Sequence, residues 1–427
     1  MKTITVQRSS LVLQPDRKRV LLRPFLLPYD ERAQTLCDEF MALPEDEVHA
    51  LWERVRAEFG ERHSKTHEFL QRRFAQVQHC LPAGQEISEE RQLLLGAYFS
   101  HEYSLEAAAL FNPSMVLHMD QSDLPPGSLR FILSLRATGE GHISSITFRT
   151  GEVDEGGNIT ITTPTRYCLD PAQMPGASSE KIWMLSQSDY EVQFAADSRL
   201  SERVLFPVTQ AQSNGIEDAR FVLFQNDDGT KTYYATYTAY DGNNILPQFI
   251  ETPDFLHFKF ITLNGPAVQN KGMALFPRKI HGHYVMLSRQ DKENIYIMFS
   301  DHLHFWHAAQ LIVKPKFAWE FVQMGNCGSP IETEAGWLVI SHGVGAMRKY
   351  SIGAFLLDLN DPTKVIGRLR EPLITPNENE REGYVPNVVY SCGSLLRGRQ
   401  LIIPYAMSDY ATTFATLSLD EVLAAME

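Results

Sequence analysis

The chain has no run of 18 apolar residues, the length at which a membrane-spanning helix becomes the natural reading. Its opening stretch, MKTITVQRSSLVLQPDRKRVLLRPF, alternates apolar and polar side chains and lacks the unbroken apolar core of a secretory signal. A soluble, cytoplasmic protein is therefore expected. Cysteine is scarce: Cys37, Cys80, Cys168, Cys327 and Cys392 are odd in number and form no CxxC pair. That excludes a disulfide framework and a thiolate zinc site, and it fits free thiols in a reducing compartment. Positive charge is in deficit as well, with 39 Lys and Arg against 52 Asp and Glu, a net charge of −13. Such a surface argues against nucleic acid or an anionic membrane as the main partner. There is no GxxxxGK[ST] loop, no GxGxxG after a strand, no HExxH and no GxSxG, so the common phosphate-loop, dinucleotide, zinc-protease and serine-hydrolase signatures are missing. His281 and His283, like His302, His304 and His307, have chelating spacings, but sequence positions no acidic partner beside them. Neither a metal nor a cofactor is expected.

What is present is an ordinary globular composition, 44% apolar and 11% aromatic over 427 residues. Residues 1–27 contain two short strand signals, ITVQ and VLLRPF, expected to join the main sheet domain. Residues 28–110 switch to helical periodicity. In PEDEVHALWERVRAEF, Val48, Leu51, Val55 and Phe59 recur at spacings of three and four, and Pro44 with Glu45 and Asp46 suits a helix start. This block, with its mixed surface charge, is expected to cap the sheet domain or to mediate homo-oligomer assembly.

From residue 111 to 427 strands take over: RFILSLRATG, TYYATYTAY, HYVMLSRQ, GWLVISHG, YSIGAFLLDL and RQLIIPYAM are short, β-branched or aromatic, and bounded by Gly, Asp, Asn and Pro. Five segments introduce such strands: Asn112-Pro113-Ser114, Glu217 to Arg220, Lys271 to Ala274, Gly328-Ser329-Pro330 and Pro386-Asn387-Val388. Asp218, Met273, Ser329 and Asn387 recur at about 55 residues, near the period of a four-stranded propeller blade. The expected fold class is all-β, a five-bladed β-propeller with an N-terminal helical block. The first interval is twice as long, which predicts an insertion around residues 150–200. The terminal SLDEVLAAM reads as a closing helix.

A ring of blades brings strand ends to one axis. Arg136 closes FILSLR, Arg289 closes YVMLSR, His342 closes WLVISH, Asp409 follows LIIPYAMS, and Lys271 precedes the GMALFP strand. Together they predict a polar, partly cationic floor suited to an anion or a polyhydroxylated molecule. In Gly215-Ile216-Glu217-Asp218-Ala219-Arg220, adjacent strand side chains point in opposite directions. One carboxylate can pair structurally while the other faces the cavity. An acid held there away from the arginines would have its pKa raised by desolvation, as general acid catalysis at neutral pH requires. Tyr237 belongs to a set of strand-end aromatics, most of which are expected to fill space between blades.

These segments, with Gly325 to Ile331, Glu334 to Leu338, Ser341-His342-Gly343, Tyr350 to Ala354, Asp358, Asp361-Pro362 and Gly383 to Val389, resemble glycoside hydrolase family 130, in order, from about Asn112 to Leu423. The resemblance implies a five-bladed propeller and an inverting phosphorylase. In such an enzyme inorganic phosphate, a co-substrate, attacks a β-mannoside and α-mannose 1-phosphate is released. It implies that Asp218 is the general acid, acting through a sugar hydroxyl, although Ala219 stands where the family has proline. Arg136, Lys271, His342, Tyr350 and Asn112 would bind phosphate. Asp409 would contact the inner sugar, with Glu217, Arg220, Arg289, Tyr237 and Asn387 completing the substrate contacts.

Gln323 stands where many such phosphorylases carry lysine, and losing that ammonium weakens an anion site by roughly 1–3 kcal/mol. The alternative is an inverting hydrolase, which needs a carboxylate base about 6.5–9.5 Å from the acid. Glu140, Glu332, Glu334 and Glu382 are the candidates. A non-catalytic carbohydrate-binding propeller is the remaining alternative; it predicts that the same polar residues pair with neighbours and block the axis.

Overall fold

The computed structural model describes residues 4–27, 30–81, 86–173 and 189–427. The chain forms two compact units, one of residues 16–105 with 165–169, the other of residues 1–15, 106–164 and 170–427.

The smaller unit is helical. Helices Asp30–Met41, Glu45–Phe59, Thr66–Val77 and Glu89–Tyr98 bury Cys37, Phe40, Val48, Leu94, Leu95 and Phe99 in one core. Pro44 stands at the N-cap of Glu45–Phe59 with three acids in the first turn, where the macrodipole favours negative charge. The buried stripe of that helix runs through Val48 and Trp52, while Phe59 is left partly exposed. Arg91 is buried and donates to Glu45 and to the carbonyls of Phe40 and Leu43, which satisfies helix-end acceptors. Of the two N-terminal strands, Val20–Pro24 pairs with Ser100–Ser104 inside this unit. Gln7–Arg8 instead joins the larger unit, paired with the final strand Ala411–Ser418.

The larger unit is mostly β. Its strands fall into five antiparallel groups in sequence order. The first is Ala109–Leu117, Leu129–Thr138 and Ser144–Val153; the second, Gly215–Gln225, Lys231–Tyr240, Ile245–Thr252 and His257–Thr262; a single parallel pairing, Gly215 with Ser144, joins the two into one sheet. The third is Ala274–Leu275, Tyr284–Ser288, Ile295–Ser300 and Gln310–Val313. The fourth is Gln323–Asn326, Gly336–Val344, Tyr350–Leu357 and Val365–Arg368. The fifth is Val389–Tyr390, Gln400–Met407, Ala411–Ser418 and Gln7–Arg8.

Alternation along each strand buries both faces, so the core lies between successive groups. Phe221 packs with Ile132 and Phe148 of the first group, whereas Val222 and Phe224 on the opposite face pack with Met273 and Met286 of the third. Trp337 and Val339 face Val285 and Leu287, while Leu338 and Ile340 face Leu401 and Ile403. The fifth group also meets the first, through Ala406 against Ala109 and Phe111.

The insertion expected around residues 150–200 falls partly on 174–188, outside the described residues. On the described side, Ile159–Ile161 and Val204–Leu205 pair with Ser144–Val153. Tyr190–Gln193 adds to the outer edge of the second group instead. The closing helix spans Leu419–Ala424, capped by Ser418, and Glu421 accepts from the Thr5 amide at 2.8 Å. No helix among the described residues is long and apolar enough to cross a membrane.

Candidate active site

Two β-bulges build the centre of the site. The register of Ala109–Leu117 slips between Phe111 and Ser114, and that of Gly215–Gln225 slips between Glu217 and Arg220. Asn112 and Asp218, one at each slip, have φ of 47° and 52°. Asn and Asp are among the few non-glycine residues that visit this left-handed region routinely. The two introducing segments are therefore parts of the first strands of their groups rather than turns before them. A bulge re-aims a side chain, and here two re-aimed side chains meet: Asn112 Nδ2 donates to Asp218 Oδ1 at 2.6 Å.

Arg136, on the strand beside Asn112, spans both acids. Its Nη1 donates to Asp218 Oδ1 at 3.2 Å, its Nη2 to Glu217 Oε1 at 2.7 Å, and its Nε to Ser144 Oγ at 2.9 Å. Lys271 Nζ lies 3.8 Å from Glu217 Oε2. Arg136 is thus committed to carboxylates, while Lys271 remains partly exposed.

The third, fourth and fifth groups supply a second polar set. Arg289 Nη1 lies 3.3 Å from His342 Nε2. A guanidinium only donates, so in this contact Nε2 is the unprotonated nitrogen and the imidazole is neutral. Burial pushes His342 well below its ordinary pKa, and the charges of Arg289 and Arg220 push the same way. Tyr350 stacks on the ring at 5.9 Å, and Tyr390 meets it tilted at 4.9 Å. Gln323 Nε2 donates to the Tyr350 hydroxyl at 2.9 Å. Gly325 makes the assembly possible: a Cβ there would come within 2.6 Å of His342 Cε1 and 3.3 Å of Arg289 Nη1.

These side chains line one cavity of about 150 Å³, formed by Asn112, Arg136, Asp218, Lys271, Arg289, Gln323, His342, Arg348, Tyr350, Val388, Tyr390 and Asp409. Four permanent cations therefore face two carboxylates. Asn112 Oδ1 and Arg289 Nε are buried without a hydrogen-bond partner. An unmatched buried acceptor and donor are costly unless a ligand completes them.

The two carboxylates differ. Burial alone would raise the Asp218 pKa, but Arg136, Lys271, the Asn112 hydrogen bond and Arg220 outweigh it and hold the group at about 2. Asp409 is raised to about 6, first by burial and then by the negative charge of Asp218, against the pull of Arg136, Arg348 and Lys271. The condition for a raised pKa in the Glu217-Asp218 pair, an acid held away from the arginines, is met by neither residue, since Arg136 bridges both. Asp218 is the ionised partner of Arg136, and Asp409 is the carboxyl whose pKa its surroundings raise.

Comparison with known proteins gives the family. The family model Glyco_hydro_130, described as beta-1,4-mannooligosaccharide phosphorylase, matches residues 190–427. The chain belongs to glycoside hydrolase family 130. It is 37% identical over 232 residues to a 1,2-beta-oligomannan phosphorylase of Thermoanaerobacter sp. (strain X514), covering 52% of this chain and 75% of that protein. It is 30% identical over 236 residues to a beta-1,2-mannobiose phosphorylase of Listeria innocua, covering 52% of this chain and 63% of that protein. The solved structure of the Listeria innocua beta-1,2-mannobiose phosphorylase aligns with a TM-score of 0.53 at 21% identity, over 74% of this chain and 92% of that one. That structural likeness speaks to the fold alone.

Of the residues singled out for this family-130 chain, Asn112, Arg136, Asp218, Lys271, Arg289, His342, Tyr350 and Asp409 come together at the cavity. Glu217 lies behind Arg136 as its ion-pair partner. Arg220 is an internal strut, donating to Asn326 O and Oδ1 and to the Tyr390 hydroxyl. Tyr237 sits in the core between the first two groups, its hydroxyl joined to Gln248 and Gln212. Asn387 accepts from Arg381 Nε at 2.9 Å and does not line the cavity. Sugar contact by Tyr237 is thus not what its position offers.

Arg348 and Tyr390 are cavity residues that sequence reasoning missed. A signal for Arg348 exists. Arg136 and His342 each stand three residues before a glycine, Gly139 and Gly345, and both glycines open a short left-handed loop. Three residues beyond them lie His142 and Arg348, with φ of 60° and 55°. Aligning the two hairpins would have nominated Arg348. His281 bonds the Asn360 carbonyl and His283 bonds Asp301. No group of three or more His, Cys, Asp or Glu among the described residues is placed to hold a metal.

Proposed function

We propose that the protein is an inverting glycoside phosphorylase that cleaves β-mannosides with inorganic phosphate and releases α-mannose 1-phosphate. The observation that carries this reading is a cavity lined by four cations and two carboxylates, in which the cations stay in excess even when Glu217, behind Arg136 and Lys271, is added, inside a chain of net charge −13. A dianion is the ligand such a site is built to hold.

The reading takes the five strand groups as blades of a closed ring around the cavity. Support comes from the cavity itself, to which every group contributes, and from the contacts that join the last group to the first. The Leu110 amide donates to the Tyr410 carbonyl at 2.9 Å, and Thr412 Oγ1 donates to the Leu110 carbonyl at 3.1 Å.

Within it, phosphate lies against Lys271, Arg289, Arg348 and Tyr350, while His342 orients Arg289 through Nε2. Arg136 positions the acid rather than the nucleophile, since Glu217 and Asp218 already occupy it. Asn112 shares that duty. Asp218 serves as general acid through Oδ2, the oxygen outside the pairing with Asn112 and Arg136. The field of Arg136 and Lys271 keeps it ionised. A bound phosphate dianion neutralises Lys271 and its neighbours, weakens the field that holds the carboxyl down, and so allows it to carry a proton. Charge compensation by the nucleophile thus arms the acid. Asp409 holds the hydroxyls of the inner mannosyl unit.

Hydrolysis is the second reading. Glu332 pairs with Arg278 and Glu334 with Arg399. Neither lines the cavity, and neither do Glu140 and Glu382. Water activation would therefore fall to Asp409. Gln323 supplies an uncharged donor, through Tyr350, where a lysine would add a fifth cation. Turnover of a β-mannobiose should rise hyperbolically with phosphate concentration and vanish without it. Arg289→Met should raise the phosphate KM roughly 10- to 100-fold, the effect of losing one charged hydrogen bond. A rate indifferent to phosphate would favour hydrolysis.

A further inference from the structure

We infer that Tyr384, backed by His142, is the stacking platform for the sugar on the leaving-group side of the scissile bond, an inference that rests on the phosphorolysis reading above. The two rings come from segments that flank the cavity. His142 lies on the turn between Leu129–Thr138, which carries Arg136, and Ser144–Val153. Its counterpart in the fourth group, Arg348, lines the cavity. Tyr384 sits between Gly383 and Val385, and both rest on Ser408, the residue before Asp409. The Val385 amide donates to the Ser408 carbonyl at 3.0 Å, and a Cβ on Gly383 would meet that same oxygen at 2.5 Å. Four residues on, Val388 lines the cavity.

The ring centroids of His142 and Tyr384 are 5.6 Å apart, with planes tilted by 32°. A pyranose held between two rings needs about 7–8 Å, two carbon–carbon contact distances. The pair is therefore not a sandwich, and His142 closes one side of Tyr384. The other side is open: Tyr384 is 60% exposed. An exposed ring carried between Gly383 and Val385 offers its π-face to the C–H face of a hexopyranose. The 150 Å³ cavity is too small for a chain, so the next unit must lie outside its lining, and Tyr384 is tied to that lining through Ser408, which precedes Asp409, and through Val388. Tyr384 touches the sugar; His142 is a positioning residue.

The test runs the reaction in reverse, with α-mannose 1-phosphate as donor and D-mannose or β-mannobiose as acceptor. Tyr384→Ala should raise the acceptor KM roughly five- to tenfold, the range of one aromatic stacking contact, and leave the donor KM within about twofold. Tyr384→Phe should restore it. His142→Ala should raise the acceptor KM less than Tyr384→Ala does, and His142→Phe should not raise it. An unchanged acceptor KM in Tyr384→Ala, or an equal rise for donor and acceptor, overturns the platform. A wild-type protein that makes no mannoside would count against phosphorolysis instead. The platform would then be read by saturation-transfer NMR with methyl β-mannoside: loss of the sugar signal in Tyr384→Ala supports it, and an undiminished signal overturns it.

Discussion

Asp218→Asn is expected to lower β-mannoside turnover by about 10²- to 10⁴-fold, the contribution of a positioned general acid, while the protein stays folded. The substitution is nearly isosteric. The amide oxygen can still accept from Asn112 Nδ2 and Arg136 Nη1, the two donors that meet at Oδ1. Glu217 remains to neutralise Arg136 at 2.7 Å. Phosphate affinity should move in the opposite direction and increase, because the variant removes a negative charge that faces the anion and acts on Lys271. Weaker activity with tighter phosphate binding separates loss of the acid from loss of the site. Turnover within about threefold of wild type, against the range expected of a general acid, would remove Asp218 from the chemistry.

Arg136→Met is expected to cost about 3–5 kcal/mol of stability at pH 7, the usual price of stripping one partner from a buried ion pair. Here the guanidinium holds two carboxylates that are neighbours in sequence, Glu217 and Asp218. Methionine keeps the packing against Phe111, over whose ring the guanidinium lies at 4.9 Å, but leaves the two anions facing each other in a buried place. The pH dependence follows from the direction of each shift. In the wild type the Asp218 carboxyl is depressed to about 2, so its stabilising effect is complete above the ordinary carboxylate range and is lost as pH falls toward 2. In the variant Asp218 loses the guanidinium that lowers its pKa most, and burial, opposed only by Lys271, Asn112 and Arg220, pushes its folded pKa up. The penalty of the buried anion is present above that pKa and is relieved as pH falls through it. Urea midpoints of variant and wild type should converge between pH 7 and pH 5. A deficit that stays constant over that range, or one below about 1 kcal/mol, would mean the pair is solvated.

Much of the architecture was legible because strand chemistry is local. TYYATYTAY and GWLVISHG could hardly be anything but strands, and the helical pattern after Pro44 yielded a helix starting at Glu45. What the sequence could not convey was where a chain-distant strand pairs. ITVQ and VLLRPF look alike, yet the strands observed in that region, Gln7–Arg8 and Val20–Pro24, pair in different units. The site was legible as a set of residues and not as a circuit. Arg136 reads as one more cation at a strand end, and only the bulges at Asn112 and Asp218 reveal that its fork is filled by acids. The same bulges explain why neither acid of the Glu217-Asp218 pair stands away from the arginines, the condition for a raised pKa: desolvation is a property of position, but its balance against neighbouring charge depends on distances of a few ångströms. Tyr237 was misread for the opposite reason. It alternates onto the face that packs against the first group, so a strand-end aromatic became a core residue joined to Gln248.

The central claim is that phosphate, not water, is the nucleophile. Phosphorus NMR of β-mannobiose incubated with the protein, in paired tubes with and without inorganic phosphate, tests it most directly. One new phosphate ester, α-mannose 1-phosphate, should appear for each bond cleaved, and the phosphate-free tube should remain unreacted. Two free mannoses per bond, no phosphate ester, and equal rates in both tubes would contradict it.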